Sequence, residues 1–208
     1  MEELIKELKK LPGIGSDGAR RIIFYLMGKG AAEVDRLTAL IKSTVVDYKI
    51  CSECGNISRV DPCEICSNPL RDKSKLCIVE DVEALMNIET SGYYDGLYHV
   101  MMTHRQIFST GEPDDEQQEN LTRHINELKP SEIIIGTSPN VTGQLIYFAI
   151  MDAIKASDHK PGKITRFAYG LPAGIHVEHA DKTSLHAAID FRAPVEFYEN
   201  AKISSARI

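Results

Sequence analysis

The sequence predicts a multi-module α/β protein, and three observations carry that prediction. Two C-x-x-C pairs stand close together, Cys51-Ser-Glu-Cys54 and Cys63-Glu-Ile-Cys66. Before them, two helical stretches flank the turn Leu11-Pro-Gly-Ile-Gly15. After them, short apolar strands alternate with helical stretches, the pattern of a parallel sheet with helices on both faces.

The N-terminal module comes first. Leu4, Ile5 and Leu8 recur at helical spacing over residues 2–10, with lysines opposite. A second helix runs through Ala19–Met27 and a third through Ala31–Val46, where Val34, Leu37, Leu40 and Ile41 share a face. Helix, h-P-G-h-G turn, helix is the layout of a helix-hairpin-helix. Gly13 and Gly15 permit tight turns and close backbone approach. The N–H groups of the turn and of the next helix can then face an anion such as a DNA phosphate. Arg20, Arg21 and Lys29 add positive charge nearby. The plain alternative is a helical hairpin that only packs, through Ile14, Ile22, Ile23 and Leu26.

Each C-x-x-C pair puts two thiolates within reach of one ion, and eight residues separate the pairs. Four thiolates complete the tetrahedron of a closed structural zinc site, so Cys51, Cys54, Cys63 and Cys66 are expected to hold one Zn²⁺ per chain. Asn56, Asp61 and Pro62 supply the turn chemistry that folds the second pair back on the first. Redox-active or disulfide pairs are the alternative, and nothing else in the chain looks secreted. The module, about Tyr48 to Ser74, is too short to bury a self-sufficient core, so metal and fold should stand or fall together. Arg59, Arg71, Lys73 and Lys75 are nearly balanced by Glu53, Asp61, Glu64 and Asp72, which favours a structural knuckle over a sequence-reading finger.

The sheet follows. Strands are expected at Leu76–Val79, Gly96–Met102, Glu132–Gly136 and Lys163–Ala168. Helices are expected through Val82–Ile88, around Leu121–Leu128 and over Val141–Ala156. Thr103–Glu119 reads as a loop running into the middle helix. Parallel sheets place their sites at the carboxyl ends of strands, which here carry Glu80 and the turn Gly136-Thr-Ser-Pro-Asn140.

Composition bounds the function. With 43% apolar and 26% charged residues, the 208-residue chain is of ordinary globular type. A net charge of −6 gives no global nucleic-acid footprint, so any DNA-binding surface has to be local. No apolar run approaches the roughly 18 residues of a membrane span. The acidic, amphipathic N-terminus is unlike a signal peptide. Five cysteines, an odd number without an export signal, fit a reducing cytoplasm. The fifth, Cys77, lies in an apolar run and is expected as a core thiol.

Taken in order, these motifs resemble the bacterial RecR family of recombination mediators. The likeness runs on through Gly136-Thr-Ser-Pro-Asn-Val-Thr-Gly143, Arg166-Phe-Ala-Tyr-Gly-Leu-Pro-Ala-Gly174 and Val177-Glu-His-Ala-Asp-Lys-Thr-Ser-Leu185. The resemblance implies a Toprim domain after the zinc finger and no enzymatic activity of its own. It implies a homo-oligomer, dimer or tetrameric ring, around single- and double-stranded DNA. It also implies RecO as a partner, with RecF as a further candidate, in loading RecA onto single-stranded DNA. On this reading residues 1–47 are the helix-hairpin-helix, 48–75 the zinc finger, 76–172 the Toprim domain and 173–208 a C-terminal oligomerisation segment. That segment, with Tyr169–Gly174, Glu178 and Asp181, resembles what the family calls a Walker B-like stretch. No G-x-x-x-x-G-K-[S/T] loop accompanies it, so packing or interface is the better reading.

The departures matter as much. Catalytic Toprim enzymes hold Mg²⁺ on paired carboxylates after the third strand. This chain has Ser138, Asn140, Thr142 and Gln144 instead, where typical RecR sequences keep acids at the last two. Glu80 and Asp81 remain as an acidic remnant or partner contact, a weak Mg²⁺ site. A Mg²⁺-dependent nuclease or topoisomerase-like Toprim enzyme is therefore the runner-up, and a zinc-stabilised adaptor without DNA contact the third reading. In the hairpin Asp17 stands where the family usually has lysine, which moves the expected phosphate contact to Arg20 and Arg21. The family's Gly-Gly and Ser-Pro-Leu features are missing from Met101–Phe108. The flanking His99 and His104 are assigned no chemistry.

Overall fold

The computed structural model describes residues 1–102 and 113–194. The chain divides into two compact units, Met1–Arg166 and Phe167–Ile208.

Three helices open the first unit: α1 (Glu2–Leu8), α2 (Ser16–Lys29) and α3 (Ala31–Asp47). Their shared core is slight. Only Ala19 and Ile23 of α2 are buried, and the 17-residue α3 buries none of its side chains. Gly13 and Gly30 take φ of +77° and +82°, conformations that ordinary residues adopt only at a cost, and they let the chain turn into α2 and out of it. The second helix starts at Ser16, three residues before its apolar pattern does.

The zinc module begins with a two-residue antiparallel hairpin that the sequence does not announce, β1 (Lys49–Ile50) on β2 (Ile57–Ser58). The main sheet then begins with β3 at Asp72, four residues earlier than its apolar run suggests. Those four residues are polar, and pairing of Asp72 with Gly96 across a bulge recruits them to the strand.

The main sheet contains β3 (Asp72–Val79), β4 (Gly96–Val100), β5 (Glu132–Gly136) and β6 (Lys163–Arg166), in the order β4-β3-β5-β6 and parallel throughout. Helix α4 (Val82–Ser91) links β3 to β4, α5 (Asp115–Leu128) precedes β5, and α6 (Val141–Ala156) links β5 to β6. The period of two along each strand divides the core. Leu76, Ile78, Leu97, Ile133 and Ile135 pack with Leu121 and Ile125 of α5 and Ile146, Ile150 and Ile154 of α6. Cys77, Val79, Tyr98 and Val100 pack with Leu85 of α4 on the other face. Cys77 is the expected core thiol, its pKa pushed up to about 12 by burial.

Caps set the helix limits. Asp81 accepts from the Ala84 N–H at the start of α4, and Gly92 ends that helix at φ +70°. Helix α5 starts at Asp115, inside the stretch expected to be loop. Asp114 and Gln117 form a reciprocal capping box, which overrides the polar composition of the first turn. The Met101–Phe108 segment, with His104, lies outside the described residues from Thr103 on.

The second unit holds a 3₁₀ turn (Val177–His179) and helix α7 (Lys182–Asp190). Asp181 caps α7, accepting from the N–H groups of Thr183 and Ser184, both at 2.9 Å, and from Ser184 Oγ. Among the described residues, no helix is long and apolar enough to cross a membrane.

Candidate functional site

The four cysteines converge. Their Sγ atoms all lie within 4.8 Å of one another and all four residues are buried. Cys54 and Cys63 sulfurs are 3.6 Å apart, and those of Cys51 and Cys66 4.0 Å. A tetrahedron with Zn–S bonds near 2.3 Å has edges of about 3.8 Å, so the spacing fits the ion. The backbone prepares the site: Gly55 N–H donates to Cys51 O (3.0 Å), Ser67 N–H to Cys63 O (3.0 Å), and Cys63 N–H to Cys51 Sγ (3.3 Å). Asp61 bridges the knuckles, accepting from Ser52 N–H and Oγ, both at 2.8 Å.

The donor chemistry agrees with a dication. Hydrogen bonds from Cys54, Cys63 and Cys66 hold the Cys51 thiol far below the ordinary range, while those with Cys51, Cys54 and Cys63 push Cys66 far above it. Hydrogen bonds among the same sulfurs also lower the Cys63 thiol, to about 6, and raise that of Cys54, so the four thiols share protons as one cluster. Four thiolates coexist only around a cation. The site is a four-cysteine zinc centre with one structural Zn²⁺, consistent with Cys51, Cys54, Cys63 and Cys66 as its ligands.

The zinc module is joined to the sheet. Val100, the last residue of edge strand β4, donates its N–H to Cys54 O at 2.8 Å. Gly55, at φ +78°, lies against the same residue; a Cβ there would sit 3.2 Å from Val100 O. Sequence reasoning missed this joint, because it depends on backbone groups that no residue type announces.

At the hairpin, α2 begins at Gly15 with no side-chain cap, and a Cβ on Gly13 or Gly15 would meet nothing within 4 Å. The turn is therefore sterically open. Arg20 lies 3.7 Å from the carboxylate of Asp17, an exposed pair of little energetic weight. Arg21 has no ion-pair partner among the described residues. Lys29 Nζ sits over the ring of Tyr25, 5.2 Å from its centroid. The hairpin motif does not single out Tyr25, although Arg21, Tyr25 and Lys29 recur every four residues.

At the carboxyl end of the sheet Glu80 and Asp81 do not face one ion. Glu80 Oε1 accepts from Ser138 N–H (2.6 Å) and Oε2 from Ser138 Oγ (3.0 Å), while Asp81 caps α4. Asn140 caps α6 through the Gly143 N–H at 2.7 Å. Arg166, at the end of β6, donates to Thr137 Oγ1 (3.2 Å) and Gln144 Oε1 (3.4 Å) and lies over Tyr147, 4.5 Å from the ring centroid. An arginine thus reaches Gln144, one of the neutral side chains at this end of the sheet. Apart from the four cysteines, the described residues bring no set of three or more His, Cys, Asp or Glu side chains together as ligands.

Comparison with known proteins matches this order of modules. Residues 1–45 match the RecR helix-hairpin-helix, 48–68 the RecR four-cysteine zinc finger domain and 74–168 the Toprim domain. The chain is 36% identical over 193 residues to the recombination protein RecR of Synechococcus sp. (strain JA-3-3Ab), an alignment that spans 92% of this chain and 96% of that protein.

Proposed function

The chain belongs to the RecR family, and on that premise we propose that it is a non-enzymatic DNA-binding mediator of recombinational repair. In this reading it acts in the cytoplasm as a homo-oligomer around single- and double-stranded DNA. It works with RecO, and with RecF as a further partner, to load RecA on single-stranded DNA. Family membership supports the partners. The oligomer is supported by α3, whose Leu40, Ile41, Val45 and Val46 are all at least half exposed. Residues 1–47, 48–75, 76–172 and 173–208 serve as its four segments.

The observation that carries the DNA reading is the uncapped start of α2 behind Gly13 and Gly15, with Arg20, Arg21 and Lys29 on the same helix. The backbone N–H groups there and the flanking cations both favour phosphate. Glu80 and Asp81 are assigned to holding the sheet's carboxyl end in shape, as the surface a partner would meet. Neutral side chains at Ser138, Asn140, Thr142 and Gln144 leave little for Mg²⁺, so phosphoryl transfer is not assigned.

The test is DNA affinity as a function of salt. Changing Arg20 and Arg21 together to alanine should weaken binding and flatten the slope of log K against log salt by up to about 1.8 on duplex DNA, about 0.9 per lost phosphate contact. Unchanged affinity and slope would remove the hairpin from the interface. The Mg²⁺-enzyme reading predicts instead that the purified protein nicks or relaxes supercoiled plasmid with Mg²⁺ and that Glu80→Gln stops it.

A further inference from the structure

We propose that the face of α2 bearing Arg21, Tyr25 and Lys29 takes up unpaired nucleobases, so that the hairpin region prefers single-stranded over double-stranded DNA. The inference rests on the reading above that this region contacts DNA.

Residues four apart on a helix lie above one another, about 6 Å apart along the axis. Arg21, Tyr25 and Lys29 therefore form one row of cation, aromatic ring, cation. Asp17 begins the same row, but its carboxylate lies within 3.7 Å of the Arg20 guanidinium. Tyr25 is 62% exposed, so its side chain is available to a ligand. Lys29 lies over that ring and Arg21 one turn away from it.

Beside the row runs a groove of about 670 Å³, lined by Gly18, Arg21, Ile22, Tyr25, Leu26 and Leu37. Its volume is that of a small-ligand cleft. Its lining is mostly apolar, with one aromatic ring, and its charged lining residue is a cation. No acid lines it. An uncharged apolar partner would leave Arg21 without a use, and a phosphate alone would leave the ring without one. A base carried on a phosphate backbone uses both: the base stacks on Tyr25 while flanking phosphates meet Arg21 and Lys29. In duplex DNA the base faces are covered by their neighbours, so only an unpaired base can occupy this place.

The test measures affinity of the full-length, zinc-loaded protein for three probes of equal length: a thymidine strand, a strand of abasic sites, and a duplex. The wild type should bind the thymidine strand more tightly than the abasic one. Tyr25→Leu should lower thymidine-strand affinity about tenfold, the scale of one lost stacking contact, while abasic and duplex affinities stay within about twofold. Tyr25→Phe should keep the preference. Circular dichroism and zinc content serve as fold controls, and the exposed position makes both variants tolerable. Equal wild-type affinity for the thymidine and abasic strands overturns the inference, as does an equal loss on all three probes with Tyr25→Leu. So does a Tyr25→Leu effect confined to mass in solution, which would make this face a contact between copies of the chain. In each of those cases the hairpin's phosphate contact still stands. A wild type that binds none of the probes overturns both readings together.

Discussion

Glu80 grips Ser138 with both of its carboxylate oxygens, one on the backbone N–H at 2.6 Å and the other on Oγ at 3.0 Å. The pair joins the end of β3 to the turn that leads into α6. The carboxylate that follows β3 here holds a turn. Ser138 supplies both donors, so the fixed charge of Glu80 is answered by hydrogen bonds within the protein.

Removing that carboxylate should cost stability. Glu80→Ala leaves two partly buried donors on Ser138 without their acceptor, which is expected to destabilise the fold by about 1–3 kcal/mol. Glu80→Gln keeps one acceptor oxygen and should lose less. Denaturant unfolding of the three proteins gives the order. Equal stability of wild type and Glu80→Ala would show that water replaces the grip at no cost.

Gly143 should be intolerant of even a methyl group. It is the third residue of α6, where alanine ordinarily stabilises a helix by about 1 kcal/mol over glycine. Here a Cβ would overlap the Ser138 carbonyl and Glu80 Oε1. The overlap is with backbone and with a carboxylate held at both oxygens, neither free to move aside. Gly143→Ala is therefore expected to destabilise by about 1–3 kcal/mol, the range of overpacking, despite its helix propensity. A gain in thermal midpoint would refute it.

Most of the fold is legible in the residues, and the parts that are not share a cause. The sheet strands carry runs such as Glu132-Ile-Ile-Ile-Gly136, and the zinc ligands declare themselves by spacing. The start of α5 was hidden because Asp114 and Gln117 set it through reciprocal hydrogen bonds rather than through apolar periodicity. The first four residues of β3 were hidden because pairing across the sheet, not their own polarity, makes them strand. The roles of Glu80 and Asp81 were hidden for the same reason. Adjacent acids look like a ligand pair, yet one answers a serine 58 positions later and the other caps a helix. The stacking of Lys29 over Tyr25 has a sequence signal in the four-residue recurrence of Arg21, Tyr25 and Lys29.

The buried histidines should make the protein sensitive to acid. His99 on β4 and His124 on α5 approach to 3.0 Å between their Nδ1 atoms, both buried. Burial, then the neighbouring His124 and Arg123, lower the His99 pKa to about 3, and burial also lowers that of His124 despite Glu127 nearby. A lowered folded-state pKa means that the unfolded chain binds protons first. The stability from these groups is thus complete above about pH 6.5, the unfolded value, and declines as pH falls toward about 3. Denaturant midpoints measured between those limits should fall with pH, and His99→Gln should flatten the fall. A wild-type midpoint independent of pH across that window would contradict it.

Zinc removal should be felt beyond the four cysteines. Zinc in small modules contributes on the order of 10–16 kcal/mol to folding, far more than Ile65 and the few other apolar side chains there could supply. Chelation should therefore unfold residues 51–66 rather than loosen them. Because the Val100 N–H donates to Cys54 O and Gly55 packs on the same residue, the loss should reach the end of β4. Hydrogen exchange of the wild type with and without a strong zinc chelator reads this directly. Protection is expected to disappear from residues 51–66 and from Val100, and to persist at Ile78 and Ile134 in the sheet interior. Cys63→Ser should give the same pattern without chelator, together with less than one zinc per chain. If zinc leaves and Val100 stays protected, the finger and the sheet are independent and the joint at Gly55 carries no load.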